Sequence, residues 1–244
     1  MRRRSNPGVR SVSMGLVVLY EDKDILVVDK PAGLLTVATE REKSRTAHSL
    51  LTDYIRKGCG RSQKRVFVVH RLDRETSGVL IFAKSEEAML RLKAQWKQTE
   101  KKYLAVVRGT CEKNSETITS YLAEDTAYNV YSTTDTTKGR LSRTAYKVLR
   151  VTKGLSLLEV ELLTGRKNQI RVHLAGIGHP IVGDTKYGSE DGSAPRMALH
   201  ARWISFRHPF SGERLTFESE VPAFFAALVG RIDRPNEPAA ITKR

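Results

Sequence analysis

The stretch Val66–Ser85, VFVVHRLDRETSGVLIFAKS, decides how this chain is read. Its two ends, Val66 to Val69 and Val79 to Ala83, are apolar and rich in β-branched residues, the composition of strands. Between them His70, Arg71, Asp73, Arg74, Glu75, Thr76 and Ser77 put more ionisable side chain into one connection than a turn requires. A loop of this kind, presented by a rigid scaffold, is a common way of building a site.

Upstream, Leu16 to Tyr20 and Ile25 to Val28 read as the two arms of a hairpin closed by Glu21-Asp22-Lys23-Asp24, and Lys30-Pro31-Ala32-Gly33 has the residues of a tight turn. The spacing of Leu50, Leu51, Tyr54 and Ile55 predicts a short helix that stops at Gly58-Cys59-Gly60. Residues 1–15 carry Arg2, Arg3, Arg4 and Arg10 with no acid before Glu21, which we read as a disordered basic arm able to touch phosphates. A transit peptide is the weaker reading, because no amphipathic period supports it.

Downstream, Ser85 caps an expected helix with Glu86 and Glu87 at its positive end. Met89, Leu92 and Trp96 form its core stripe, and Arg91, Lys93 and Lys97 its solvated face. Lys101 to Val107 reads as a strand, followed by a Thr-, Ser- and Asn-rich region to about Lys138 with short β-like pieces at Ile118 to Leu122 and Asn129 to Ser132. Thr144 to Val151 and Leu155 to Leu163 make a hairpin around Lys153-Gly154. The polar loop Thr164–Asn168 leads into a helix over Gln169 to Ala175 that stops at Gly176, and Gly178 to Asp184 is a Pro- and Gly-punctuated loop. Strands at Met197 to Arg207 and Arg214 to Glu218 and a helix opened by Pro222 complete the domain, with the tail after Asp233 expected to be disordered. Strands outnumber helices and are joined mainly by short turns, so the expected class is α+β, with a largely antiparallel mixed sheet flanked by helices and loops across residues 16–230.

A chain of 244 residues can bury a substantial core without disulfides or metals. Cys59 and Cys111 support neither a disulfide framework nor a zinc cluster, which suits a reducing compartment. No window approaches the ~18 apolar residues of a membrane span, and a soluble protein is expected. The loudest compositional signal is a net charge of +15 with a pI near 10.0, the electrostatic profile of a partner for polyanions.

Asp73 lies between Arg71 and Arg74, where neighbouring guanidinium groups favour the charged form of a carboxylate. Residue types alone leave two readings open, a reactive anion and an Asp that caps the turn at Thr76 or Ser77. His70, beside an apolar run, fits a packed and hydrogen-bonded residue better than a catalyst. His173 and His179 lack the one-face spacing of a helical metal pair, so no metal site is expected. The chain has neither a Gly-x-Ser-x-Gly elbow nor a Gly-rich phosphate loop ending in Lys-Ser or Lys-Thr, which removes serine-hydrolase and nucleotide-triphosphatase readings. Tyr103, introduced by Lys101 and Lys102, offers what an unstacked base and its phosphates require.

His70-Arg71-Leu72-Asp73-Arg74-Glu75-Thr76-Ser77-Gly78 resembles the catalytic signature of the RluA-type RNA pseudouridine synthases. Asp29–Gly33, Lys101–Tyr103 and Gly165–His173 resemble further stretches of that family in the same order, the last continuing through Gly178–Asp184 to Tyr187-Gly188. The likeness covers about Leu16 to Phe225. It implies the pseudouridine synthase fold and an isomerisation of uridine in ribosomal or transfer RNA that uses no metal, nucleotide or redox cofactor. It makes Asp73 the essential carboxylate, attacking the sugar, adding to the base or removing a ribose proton. By the same resemblance Arg171 pairs with Asp73 and Tyr103 packs against the flipped uracil. Arg71, Arg74, Arg166 and Lys167 are the expected RNA contacts, Arg71 filling the vacated stack or holding a phosphate. Asn168 departs from the family, many members of which have His there, and Asn cannot titrate. RNA recognition is expected to rest on the catalytic domain and its arms, in a cytoplasmic monomer. A catalytically silent RNA-binding protein on the same scaffold is the alternative. A glycosidase or nuclease would want a second carboxylate or a metal, and only Glu75 is near Asp73 in sequence.

Overall fold

A computed structural model describes residues 10–39, 42, 45–188 and 194–232; the start of the basic arm, residues 1–9, and the tail after Asp233 lie outside the described residues. The strands, numbered in chain order, are β1 Arg10–Ser11, β2 Val17–Glu21, β3 Ile25–Lys30, β4 Phe67–Val68, β5 Ser77–Ala83, β6 Glu100–Arg108, β7 Ser115–Glu124, β8 Val130–Thr133, β9 Arg140–Thr152, β10 Leu155–Leu162, β11 Leu199–Arg207 and β12 Arg214–Glu218. They join one sheet in the order β1-β2-β3-β5-β11-β6-β10-β9-β7-β8, with β12 beside β11 and β4 beside β5. Among the described residues four α-helices accompany it: α1 Ala47–Arg56, α2 Glu86–Ala94, α3 Gln169–Gly176 and α4 Ala223–Val229. Among the described residues only β5 and β11 pair in parallel, so the α+β class with a largely antiparallel mixed sheet is what the chain adopts.

The centre of the sheet is covered on both faces, which is why its strands read as unbroken apolar runs. In β3 and β5, Leu26, Val28, Leu80 and Phe82 enter a core shared with Leu51 of α1, Ile170 and Leu174 of α3 and Phe225 of α4. The alternate residues Ile25, Val27, Val79 and Ile81 pack on the other face with Ala88 and Leu92 of α2. Ser85 accepts a hydrogen bond from the Ala88 N–H and caps α2 as its sequence indicates. Trp96 falls beyond the helix in a 3-10 turn, where its ring lies 4.6 Å from that of His70.

Two expectations need correcting. The disorder expected of the arm does not hold at Arg10–Ser11, which pairs with Val17–Val18 and extends the sheet. The apolar run Val66–Val69 yields only a two-residue strand, because one edge of β5 is shared. β11 pairs with Ser77 and Gly78 at its start, and β4 with Phe82 and Ala83 at its end. Between them the Ile81 N–H donates to His70 Nε2 at 3.1 Å, an imidazole standing where a strand carbonyl would be. Gly78 makes the parallel crossing possible: at φ +113 a Cβ would sit 2.2 Å from the Ala201 carbonyl oxygen. The chain is thereby lifted off the sheet edge between Val68 and Ser77, and Asp73 lies in that excursion.

Candidate active site

The excursion is held from below by the Asp29–Gly33 turn and the residues after it. Lys30 is fully buried, and its ammonium donates to the carbonyls of Pro31 (2.9 Å), Leu34 (2.8 Å) and Arg74 (3.0 Å). The Gly33 N–H donates to the same Arg74 carbonyl at 2.9 Å. Thr36 Oγ1 donates to the Leu72 carbonyl at 2.8 Å and accepts from its N–H at 3.2 Å. The residues on both sides of Asp73 are therefore anchored. The turn itself is closed by the Asp73 main-chain carbonyl, which accepts from the Thr76 N–H at 3.2 Å, leaving the carboxylate to face the cleft. Burial lowers the pKa of Lys30 to about 8 against the opposing charges of Glu75, Asp73 and Asp29.

Three segments distant in sequence line one open cleft: Arg71, Asp73 and Thr76 from the excursion, Tyr103 from β6, and Arg166, Asn168 and Arg171 from α3 and the loop before it. Leu162, Ile170 and Leu199 supply apolar wall. Asp73 keeps 32% of its side chain exposed, and Arg171 Nη1 lies 3.5 Å from its Oδ2. Tyr103 is 7% exposed, with its strand fixed between β10 and β11. Burial, with Asp73 adding to it, raises the Tyr103 hydroxyl above the ordinary tyrosine range, so it is neutral at physiological pH.

Arg171 has a second and tighter partner that sequence reading did not assign. Its Nε and Nη2 each donate to Asp184 at 2.7 Å, a bidentate pair whose acid is 1% exposed. Asp184 Oδ1 also accepts the N–H groups of Lys186 and Tyr187. Burial alone would push this carboxyl up, but the Arg171 guanidinium and these N–H donors outweigh it and hold it below the usual range. On Arg171 the balance is alike: burial pulls the guanidinium down, and Asp184, then Asp73 and Tyr187, raise it. The signal for Asp184 was a lone acid in the loop Gly178–Asp184, but no spacing rule ties it to an arginine 13 residues earlier.

The expected RNA contacts divide. Arg71 and Arg166 are exposed and line the cleft. Arg74 does not flank the Asp73 carboxylate; its Nε donates to the Gly33 carbonyl, and its guanidinium lies 3.5 Å from Glu42 and 3.7 Å from Glu75. Lys167 pairs with Glu124 and donates to the Tyr128 carbonyl, bracing the β7–β8 hairpin. His70 is packed, and burial, with the nearby Lys101 charge, lowers its pKa to about 3. His173 is likewise buried between the Ser120 and Thr144 hydroxyls. Among the described residues Asp22, Asp24 and His208 could approach one ion. Both His208 nitrogens are already engaged, however, Nδ1 by the Phe210 and Ser211 N–H groups and Nε2 by Asp22. Both cysteines are free thiols, Cys59 exposed and Cys111 buried.

The RNA pseudouridylate synthase family model matches residues 24–176, which include Asp73, Tyr103 and Arg171. The ribosomal large subunit pseudouridine synthase D of Nitrosomonas europaea is 38% identical over 232 residues, covering 89% of this chain and 65% of the relative. The uncharacterized RNA pseudouridine synthase YhcT of Bacillus subtilis is 35% identical over 212 residues, covering 85% of this chain and 69% of the relative. The chain thus spans about two thirds of the length of these relatives. Among solved structures, human RNA Pseudouridylate Synthase Domain Containing 1 superposes with a TM-score of 0.69 at 27% identity, covering 89% of this chain and 87% of that one. Human RNA Pseudouridylate Synthase Domain Containing 4 shares the fold with a TM-score of 0.73, covering 90% and 94%. With its signature loop raised from the sheet edge, its acid facing an arginine across the cleft and these relatives along most of its length, the chain belongs to the RNA pseudouridylate synthase family.

Proposed function

We propose that this chain converts uridine to pseudouridine within RNA, with Asp73 as the essential carboxylate. The observation that carries the reading is the convergence of Asp73, Tyr103 and Arg171 on one cleft from three separate segments. The isomerisation breaks the N1–C1′ glycosidic bond, turns the uracil and forms a C5–C1′ bond, while the C5 proton leaves and N1 gains one. Asp73, exposed on the cleft side, is placed to attack the sugar, add to the base or take a ribose proton. Tyr103 and the apolar wall supply a surface for the uracil; stacking on an aromatic is worth about 1–3 kcal/mol per base. Extrusion of the target costs a few kcal/mol and least in loops, which makes single-stranded RNA the preferred form.

Arg71 and Arg166 take the phosphates flanking the target. Arg74 and Lys167 reach RNA only by releasing the partners described above, and so contribute less. The name of the Nitrosomonas relative makes large-subunit ribosomal RNA the first substrate to try, with transfer RNA second. Among the described residues no helix is long and apolar enough to cross a membrane. A cytoplasmic monomer is part of the same proposal.

The test is tritium release from RNA labelled at uracil C5. Wild type releases tritium, and Asp73→Asn binds the RNA without release. Tight binding with no release from any cellular RNA by wild type replaces this reading with that of a silent RNA-binding protein.

A further inference from the structure

We infer that Tyr187 and Asn168 are positioning residues that hold Arg171 toward Asp73 and tie that pair to the β7–β8 hairpin. The inference rests on the reading of Asp73 as the essential carboxylate. Of the Arg171 guanidinium nitrogens, Nε and Nη2 are committed to Asp184. The remaining Nη1 lies between two oxygens, Asn168 Oδ1 at 3.1 Å and Asp73 Oδ2 at 3.5 Å. Asn168 therefore shares the nitrogen that serves the carboxylate, and the direction of its amide decides how that nitrogen is presented.

Tyr187 sets that direction. Asn168 Nδ2 donates to the Tyr187 hydroxyl at 3.1 Å, which leaves Oδ1 facing the guanidinium. A flipped amide would present N–H groups to a cation that has only donors. The same hydroxyl accepts from the Val130 N–H at 3.3 Å, the first residue of β8. The Tyr187 ring lies under Arg171, 5.0 Å from centroid to guanidinium carbon, and packs against Leu122, Val130 and Val172. Its main-chain N–H donates to Asp184. One residue thus touches Arg171, Asn168 and Asp184 while lying outside the lining of the cleft.

Asn168 also suits the position through its backbone, which is left-handed at φ +53 ahead of α3. Asn accepts this conformation more readily than most side chains. Asn168→Gly therefore removes the amide and keeps the backbone accessible, whereas Ala would add strain. Tyr187→Phe removes one hydroxyl and keeps the ring beneath Arg171.

Single-turnover tritium release under saturating enzyme, RNA affinity and thermal unfolding should be measured for wild type, Tyr187→Phe, Asn168→Gly, the double variant and Asp73→Asn. Tyr187→Phe is expected to lower the rate constant about tenfold, equivalent to about 1.4 kcal/mol, with RNA affinity within about twofold of wild type. The double variant should be no slower than the slower single one, because both act through one chain of contacts. A Tyr187→Phe rate within twofold of wild type, rate losses that multiply in the double variant, or a loss that disappears at a temperature where the variant is fully folded overturns the inference. Release by Asp73→Asn instead overturns the underlying reading of the carboxylate.

Discussion

Lys30→Met removes the ammonium beneath the Asp73 loop and keeps most of the side-chain volume. Lys30 makes three hydrogen bonds of 2.8–3.0 Å to carbonyls. Hydrogen bonds to a charged group contribute about 1.5–3 kcal/mol each, so the set is worth about 4.5–9 kcal/mol. Against this stands the cost of burying the charge, which Glu75, Asp73 and Asp29 only partly offset, so that the ammonium falls to about 8 from its usual range. The net loss on substitution is therefore smaller than that sum, on the order of a few kcal/mol, read as a lower urea midpoint with an unchanged slope. Because the Arg74 carbonyl loses one of its two donors, the turn after Asp73 also loosens. Single-turnover release at a temperature where the variant is folded should then fall more than RNA affinity. The pH dependence supplies a sign. Between about pH 8 and 10.5 the unfolded chain holds the Lys30 proton more tightly than the native one, so the stability contributed by this group rises with pH. The wild type should gain up to about 1.4 kcal/mol per pH unit relative to Lys30→Met across that window. Equal stability and turnover at pH 7, or a gap that narrows above pH 8, would refute the argument.

Asp184→Asn leaves the largely buried Arg171 cation without its principal carboxylate, for which about 3–5 kcal/mol of stability is expected to be lost, together with turnover; calorimetry and tritium release check both. Acid should unfold the domain early. Burial lowers His70 to about 3 and His173 and His200 to about 4, so from about pH 6.5 downward the unfolded chain takes up protons that the native one refuses. Stability then falls by up to about 4 kcal/mol per pH unit, and a flat urea midpoint between pH 6.5 and 5 would contradict this. Arg71→Ala should weaken RNA binding and reduce the salt slope by about one; unchanged affinity and turnover would remove Arg71 from the RNA contacts.

The parts of the fold that were legible in the sequence are those set by local chemistry. The β9–β10 hairpin around Lys153-Gly154, the Ser85 cap and the helix after Pro222 each follow from a few adjacent residues. The parts that were not depend on competition between distant segments. Nothing within Val66–Val69 tells that β11 will occupy the edge of β5 next to Ser77 and confine β4 to two residues. β9 begins at Arg140, ahead of the expected Thr144, because its polar first residues pair with β7, where alternate side chains face solvent. The same division holds in the site. Asp73, Tyr103 and Arg171 were identified by resemblance, and the fold brings them to one cleft. Arg71 and Arg74 flank Asp73 in sequence, yet Arg74 turns to Gly33, Glu42 and Glu75 and leaves the carboxylate. Lys30, Asp184 and Tyr187 act through contacts that residue type cannot announce.

The unequal sharing of Arg171 bears on how Asp73 can work. A carboxylate gripped by two charge-assisted hydrogen bonds is held in one orientation, with its lone pairs already occupied. Here the bidentate grip falls on Asp184, at 2.7 Å, while Asp73 has one contact at 3.5 Å to Oδ2. Asp184 thus fixes the guanidinium in space and offsets its charge, so that Arg171 orients Asp73 through one contact and leaves its other lone pairs free for the substrate. The arrangement also survives a change of charge on Asp73. Should the carboxylate be esterified by the sugar, bonded to the base or protonated, Arg171 keeps its buried counter-ion and does not become an unpaired cation in the protein interior. All three chemical roles for Asp73 therefore require the same support, and for that reason Asp184→Asn should impair turnover whichever of them operates.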